Sequence, residues 1–430
     1  MRVLLIGSGG REHALAWKLR QSPLCEELFC APGNPGIAKV ADRVPIAVEE
    51  IARLADFAGE MKIDLTVVGP ELPLALGIAD EFAVRGLKIF GPTRGAAEIE
   101  GSKVFAKEFM ARHGLPTAPF EIAADEAGAR RAAKGFGLPV VLKADGLASG
   151  KGVFIIRTAQ DLDAAVQAFF TDRRFGTSAD RVVVERCEEG EEVSFMALCD
   201  GERLLPLATA KDYKRLGDSD SGPNTGGMGA HSPAGALSAE ETTWVLERVM
   251  RPTVAGLAAE NRRFVGVLYA GLMITESGPV VLEFNARLGD PETQPLLMRL
   301  EDDLLEVLAA GAAGNFGSSS QLRFRREVAA CIVLASQGYP EQPVKGETIA
   351  GLERAAAIPG VEIFHAGTSS DESGAIVTSG GRVLDACATG ATLRDALRAA
   401  YAAAAEIDWP SKVYRKDIGK RVLERVADEA

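Results

Sequence analysis

The chain has no pair of cysteines at redox or metal-ligand spacing. Its six cysteines, Cys25, Cys30, Cys187, Cys199, Cys331 and Cys387, lie scattered without a CxxC, which argues against a zinc site, a thioredoxin-like motif or a disulfide scaffold. They read as buried thiols. Long hydrophobic runs are also missing near the start: MRVLLIGSGG reaches glycine after one short apolar run, too short for a signal peptide's apolar region or a membrane span. A cytoplasmic protein without membrane attachment is expected. Positive charge is in deficit, with a net charge of -12, so neither a generic polyanion-binding surface nor a nucleic-acid partner is expected, although local basic pockets for phosphates stay compatible. There is no Walker GxxxxGK[ST], no internal repeat of fixed period and no long low-complexity tract.

What is present is ordinary globular material: 430 residues, 47% hydrophobic and 25% charged, enough for roughly three domains with real cores. VLLIG, SGG and REHALAWKLRQS read as strand, glycine turn and helix, and DLTVVGP and LKIFGP continue the pattern, so a parallel-sheet α/β domain is expected over 1–102. GSKVFAKEFMARHGLP reads as a linking helix stopped by Gly114 and Pro116. A two-part α+β core follows over 103–325. Within it GLPVVLKA, GVFII and RVVVE predict a lid subdomain at about 116–190, and EVSFMALCD, ERLLPLATA, FVGVLYAGLMI and GPVVLEFN predict a second sheet ending in one helix over PLLMRLEDDLLEVLAAG. A small α+β domain is expected over 326–430, with GAIVTSGGRVLDACATG as a hairpin before the helix TLRDALRAAYAAAAEI.

Several runs carry chemistry. In VVLEFNARLGDPETQ, side chains alternate across the strand, so Glu283 and Asn285 share one face while Leu282 and Phe284 pack on the other. One carboxylate and one amide oxygen can hold Mg²⁺ (or Mn²⁺), with the remaining ligands from water and substrate phosphates; alone, the run reads first as a strand end with solvated polar residues. VLKADGLASGKGV offers Lys143 and Lys151 around a glycine-rich turn, either a phosphate cradle or an exposed hairpin loop. VVVERCEEGEEVSF places a polar elbow after a strand: the backbone after Glu185 can pair with an adenine edge and Glu192 can accept from ribose hydroxyls, while acidic runs more often just face water. In GSGGREHA the third glycine of a dinucleotide fingerprint is replaced by Glu12. Gly9 and Gly10 still open a helix whose amide dipoles, with Arg11, favour an anion; a substrate phosphate can sit there or at the Gly33, Asn34 loop. His13 is compatible with a purely structural role. GPNTGGMG carries too many glycines for a strand or helix interior and reads as an active-site floor or a flexible surface loop, with the cationic KDYKR beside it.

The order of these pieces resembles the ATP-grasp superfamily, and GSGGREHALAW, APGNPG, GPE, KDYKR, GPNTGGMG and NARLGDPETQ resemble its glycinamide ribonucleotide synthetase family from Arg2 to near Arg421. The resemblance implies an N-terminal α/β domain, a two-part ATP-grasp core and a small C-terminal α+β domain. It implies a ligase of purine biosynthesis joining glycine to 5-phosphoribosylamine through glycyl phosphate, with ATP as co-substrate and Mg²⁺ or Mn²⁺ as metal. The residues it implies for ATP are Lys103, Lys143, Gly150, Lys151, Gly152, Glu185 and Glu192; those for the other substrates are Gly9, Gly10, Arg11, Glu12, Gly33, Asn34, Glu71, Asp212 and Arg287. Arg287, Lys143 and Asp212 are the expected catalytic residues and Glu283 with Asn285 the metal ligands. A monomer is expected. Another ATP-grasp ligase or carboxylase, a nicotinamide oxidoreductase and a non-catalytic nucleotide binder are the competing readings.

Overall fold

The computed structural model describes residues 1–146, 152–318 and 321–428. At the centre of the N-terminal sheet is Arg2–Gly7, parallel to Glu27–Pro32 on one side and Leu65–Val68 on the other, with Asp42–Arg43 and Ile89–Phe90 at the edges. Val3, Leu4, Leu5 and Ile6 are all fully buried. That is why this strand reads as an unbroken apolar run: helices cover both faces of a parallel sheet. Gly7, at φ +128, turns the chain toward the helix Gly10–Leu19, and a Cβ there would lie 2.4 Å from Glu12 Cγ.

Lys103–Arg112 forms the linking helix, capped by Ser102, whose Oγ accepts from Phe105 N at 3.0 Å and donates to Asp145 Oδ1 at 2.7 Å. Beyond it stands a four-stranded antiparallel sheet in the order Phe120–Ala123, Val182–Arg186, Val140–Ala144, Val153–Ile156. Leu142, Phe169 and Val184 belong to its separate small core. The edge strand Phe120–Ala123 had no sequence signal, since only Ala123 of its four residues is buried.

A second antiparallel sheet runs Leu204–Pro206, Glu191–Asp200, Val265–Thr275, Gly278–Asn285. A bulge opposite Gly271 and Leu272 breaks its alternation. The expected face assignment therefore holds for Phe284, which is buried with Val281, but not for Leu282, which borders the same cavity as Glu283 and Asn285. An extra residue in one strand re-aims the side chains that follow it.

Three other expectations need correction. PLLMRLEDDLLEVLAAG is two helices, Thr293–Arg299 and Leu304–Ala312, because the chain extends at Leu300 and Asp303 recaps it by accepting from Leu305 N at 2.9 Å. GAIVTSGGRVLDACATG is not a hairpin: Ile376–Thr378 pairs with Thr368–Ser370, whereas Arg382–Gly390 is held on both sides by Val328–Ser336 and Val361–His365. GPNTGGMG ends in strand at both sides, within Ser221–Asn224 and at the first residue of Gly229–Ser232, whereas 225–228 lies outside strands and Asn224, Thr225 and Gly226 border the large central cavity, as an active-site floor would; a Cβ on Gly229 would stand 2.8 Å from Cys331 O, so glycine lets these backbones pair closely. Gly229–Ser232 and Lys211–Asp212 join the C-terminal sheet, which thus draws strands from both sides of residue 326. Among the described residues no helix is long and apolar enough to cross a membrane.

Candidate active site

The sheets converge on a cavity of about 1060 Å³. The lid sheet contributes Lys143, Gly152 and Glu185; the second sheet contributes Glu192, Glu283 and Asn285; Lys103 comes from the linking helix. Arg11, Glu71, Asp212 and Arg287 border the same space. Eleven of the sequence-derived site residues are therefore brought together, from positions spread over nearly 280 residues of chain. Gly150 and Lys151 lie outside the described residues.

Around Glu283 and Glu185, cations and carboxylates alternate. Lys103 Nζ pairs with Glu283 Oε2 at 3.0 Å, and Lys103, then Lys214 and Lys143, hold the Glu283 carboxyl well below the usual carboxylate range despite burial. Glu283 is thus ionised at any ordinary pH and, with the Asn285 amide oxygen on the same wall, supplies hard oxygen donors. The donor set fits a Mg²⁺-like ion that takes its other ligands from phosphates and water. Among the described residues no cluster of three or more His, Cys, Asp or Glu forms an all-protein cage. Lys143 Nζ pairs with Glu185 Oε1 at 2.5 Å and donates to Leu282 O at 3.0 Å. Glu185 also pairs with Lys107, which the sequence reading missed although it stands one helical turn from Lys103.

At the other end, Arg287 bridges Glu71 at 3.3 Å and Glu100 at 3.0 Å, and Glu100 also accepts from Ala286 N at 2.7 Å. Burial works against the guanidinium charge, but Glu100 and Glu71 more than offset it. Asp212 Oδ1 is buried without a hydrogen-bond partner, and burial followed by the Glu292 charge pushes its carboxyl well up. Glu292 Oε1 in turn accepts from Tyr269 OH at 2.7 Å and Ser194 Oγ at 2.9 Å. Glu192 pairs with Lys214 at 2.9 Å. Arg382 Nη2 donates to Asp290 Oδ2 at 2.9 Å, a contact across 92 residues that no local pattern announces. Asp290 and Glu292, by contrast, lie inside the LGDPET run that follows the Glu283 strand.

The remaining N-terminal positions lie away from the cavity lining. Asn34 is spent internally: its Nδ2 donates to Ser8 O and His365 O at 2.8 and 2.7 Å, and its Oδ1 accepts from Gly36 N and Ile37 N. Glu12 accepts from Gly9 N and from Arg11 Nε, both at 2.6 Å. Gly10 lies beneath Asp385, whose Oδ2 would be 1.8 Å from a Cβ there, and Gly33 N donates to Gly7 O at 3.1 Å. His13 Nδ1 accepts from His365 N at 2.7 Å, a structural role at the seam with the C-terminal domain.

A family model for phosphoribosylglycinamide synthetase matches in three parts: its N domain over 1–100, its ATP-grasp (A) domain over 101–293 and its C domain over 329–421. The chain belongs to the phosphoribosylglycinamide synthetase family. Within it, the chain is 49% identical to a phosphoribosylamine–glycine ligase of Mesorhizobium japonicum over 425 residues, covering 99% of both. It is 47% identical over 428 residues to the enzyme of that name from Escherichia coli K12, again covering 99% of each. The crystal structure of the Thermotoga maritima phosphoribosylamine–glycine ligase superposes with a TM-score of 0.82 at 34% identity, covering 97% of this chain and all of that one. A biotin carboxylase domain of Hydrogenobacter thermophilus 2-oxoglutarate carboxylase, at 20% identity and a TM-score of 0.73 over 96% of this chain and 91% of that one, shares the fold. The part of the family model matched over 101–293 is described as an ATP-grasp domain.

Proposed function

We propose that the chain joins glycine to 5-phosphoribosylamine, converting ATP to ADP and phosphate, with Lys103, Lys143, Glu185, Glu192 and Gly152 on the nucleotide and Arg287 and Asp212 at the reacting end. The observation that carries this is the gathering in one cavity of Lys103 and Lys143, an ionised Glu283 beside Asn285, and the buried, unpartnered Asp212 Oδ1. Glu283 and Asn285 would hold Mg²⁺ or Mn²⁺, which when bound neutralises triphosphate charge. The N-terminal domain over 1–102, the core over 103–325 and the C-terminal domain over 326–430 are the proposed functional units of a cytoplasmic monomer.

A carboxylate is a poor acyl donor because its oxygen leaves badly. An oxygen of glycine's carboxylate attacks the γ-phosphorus, the bond to the β–γ bridging oxygen breaks, and ADP leaves with that oxygen. The phosphoribosylamine nitrogen then adds to the carbonyl carbon of glycyl phosphate, loses a proton, and phosphate departs as the amide forms. Such chemistry asks the protein mainly for position and charge. Lys103 and Lys143 offset triphosphate charge. Arg287, fixed from two sides by Glu71 and Glu100, presents its fork to the carboxylate or to the acyl phosphate. Asp212, with an open acceptor atom in a buried setting, receives glycine's ammonium. Arg11 and Glu71 on the N-terminal side border the space left for phosphoribosylamine. The lid sheet, with its own small core, can close as a unit to shield the acyl phosphate from water.

The test is ADP release with all substrates and with each omitted. Release that requires both glycine and phosphoribosylamine supports the reading; release driven by bicarbonate or formate instead refutes it.

A further inference from the structure

Lys107 has no place in the reaction just described, yet its side chain is only 3% exposed and it lies behind a residue of the nucleotide wall. It projects from the linking helix one turn after Lys103. Its Nζ donates to Thr117 Oγ1 at 2.6 Å, and Thr117 Oγ1 donates to Val281 O at 3.0 Å, so the ammonium is tied to the strand that carries Glu283. Its other partner is Glu185, with which it forms an ion pair. Glu185, 2% exposed, thus lies between two lysines, Oε1 on Lys143 and Oε2 on Lys107.

The charge balance of this triad is decisive. Lys143 has three N–H donors; one goes to Glu185 and one to Leu282 O, which leaves one to point at a ligand in the cavity. Lys143 and Glu185 alone sum to zero net charge, and a neutral buried pair attracts a polyanion weakly. Lys107 raises the sum to +1. A buried carboxylate with its charge already matched also has no need to compete with phosphate for Lys143.

We propose that Lys107 is a positioning residue for nucleotide binding: by neutralising Glu185 from behind, it leaves Lys143 a full net positive charge for the ATP phosphates. This rests on the reading above that Lys143 meets those phosphates. Lys107 itself touches no substrate.

The experiment compares wild type with K107M, E185Q, the K107M/E185Q double variant and K143M, measuring calorimetric affinity for a non-hydrolysable ATP analogue with Mg²⁺, KM for ATP and glycine, and melting temperature. K107M should weaken nucleotide binding by about tenfold, equivalent to about 1.4 kcal/mol, while KM for glycine stays within about twofold. E185Q should bind the analogue more tightly than wild type, because Lys143 would then meet the phosphates with no carboxylate drawing on its charge. The double variant should regain at least half of the K107M loss in log affinity, since removing the carboxylate removes the need for its partner. A double variant no better than K107M, or an E185Q that binds more weakly than wild type, overturns the proposal; the E185Q arm decides the matter even if K107M does not fold. K143M separates the two claims: unchanged nucleotide affinity there refutes the placement of ATP, whatever Lys107 does.

Discussion

Two polar turns of this chain look alike in sequence and meet opposite fates. GSGGREHA and EFNARLGDPETQ each follow an apolar strand, each carries glycine, arginine and acid, and each reads as a ligand edge. In the folded chain the first is largely covered: Asp385 reaches over Gly10, His365 N donates to His13, and Glu12 and Asn34 spend their polar atoms on neighbouring backbone and on Arg11. The second stays open, with Glu283, Asn285, Arg287, Asp290 and Glu292 all around the cavity. The C-terminal domain touches both turns, but on the second its contacts, Arg382 with Asp290 and Asp385 with Gln294, leave the cavity face uncovered. Arg11 is the exception on the covered side, since it borders the cavity while donating to Glu12 and Leu288 O.

This contrast can be broken by substitution. The largest effect is expected on the open side: E283A should lower kcat/KM by about three orders of magnitude, as loss of a preorganised charge-stabilising group does, with little change in melting temperature. An intact rate would remove Glu283 from the chemistry. On the covered side, G10A puts a methyl against Asp385 and Gln294 and should cost about 1–3 kcal/mol of stability as an overpacking change, seen as a lower melting temperature with KM for ATP unchanged. If G10A instead raised KM for phosphoribosylamine without loss of stability, the turn would be a phosphate cradle after all.

Glu100 sharpens the comparison, because it supports the open side from a buried position. E100Q loosens Arg287 and should raise KM for glycine by about tenfold, or about 1.4 kcal/mol, leaving ATP affinity near wild type; the reverse pattern would place Arg287 on the nucleotide. The covered side should respond instead to acid. Burial, and then nearby His365 and Lys39, lower His13 to about 3; burial and Lys39 lower His365 to about 4. Both are neutral in the fold, whereas the unfolded chain takes up protons below about 6.5. Stability therefore falls as pH drops from about 6.5 toward 4, by at most about 1.4 kcal/mol per pH unit for each histidine. Urea midpoints from pH 7 to 4.5 should show this, with a shallower slope in H13N; equal slopes would mean that His13 is not held neutral.

Much of the architecture was legible because it rests on local pattern. Apolar runs such as VLLIG mark parallel strands, and Glu283, Asn285, Lys103 and Lys143 declare themselves by strand alternation and helix position. What stayed hidden depends on distant partners. Nothing near Gly380–Leu384 says that Arg382 will reach Asp290, and nothing in EHAL says that the turn before it will be roofed by the C-terminal sheet. Lys107 was within reach of a helical-spacing argument, but its role needs Glu185, 78 residues away. The bulge beside Leu282 is invisible to strict alternation, which is why Leu282 was placed on the wrong face.

The most direct test is the structure of the complex with Mg²⁺ and a non-hydrolysable ATP analogue. The metal should stand between Glu283, Asn285 and phosphate oxygens, with Lys143 on the same polyphosphate. A nucleotide bound at the Gly9–Arg11 turn, or a metal held without Glu283 and Asn285, would contradict this account.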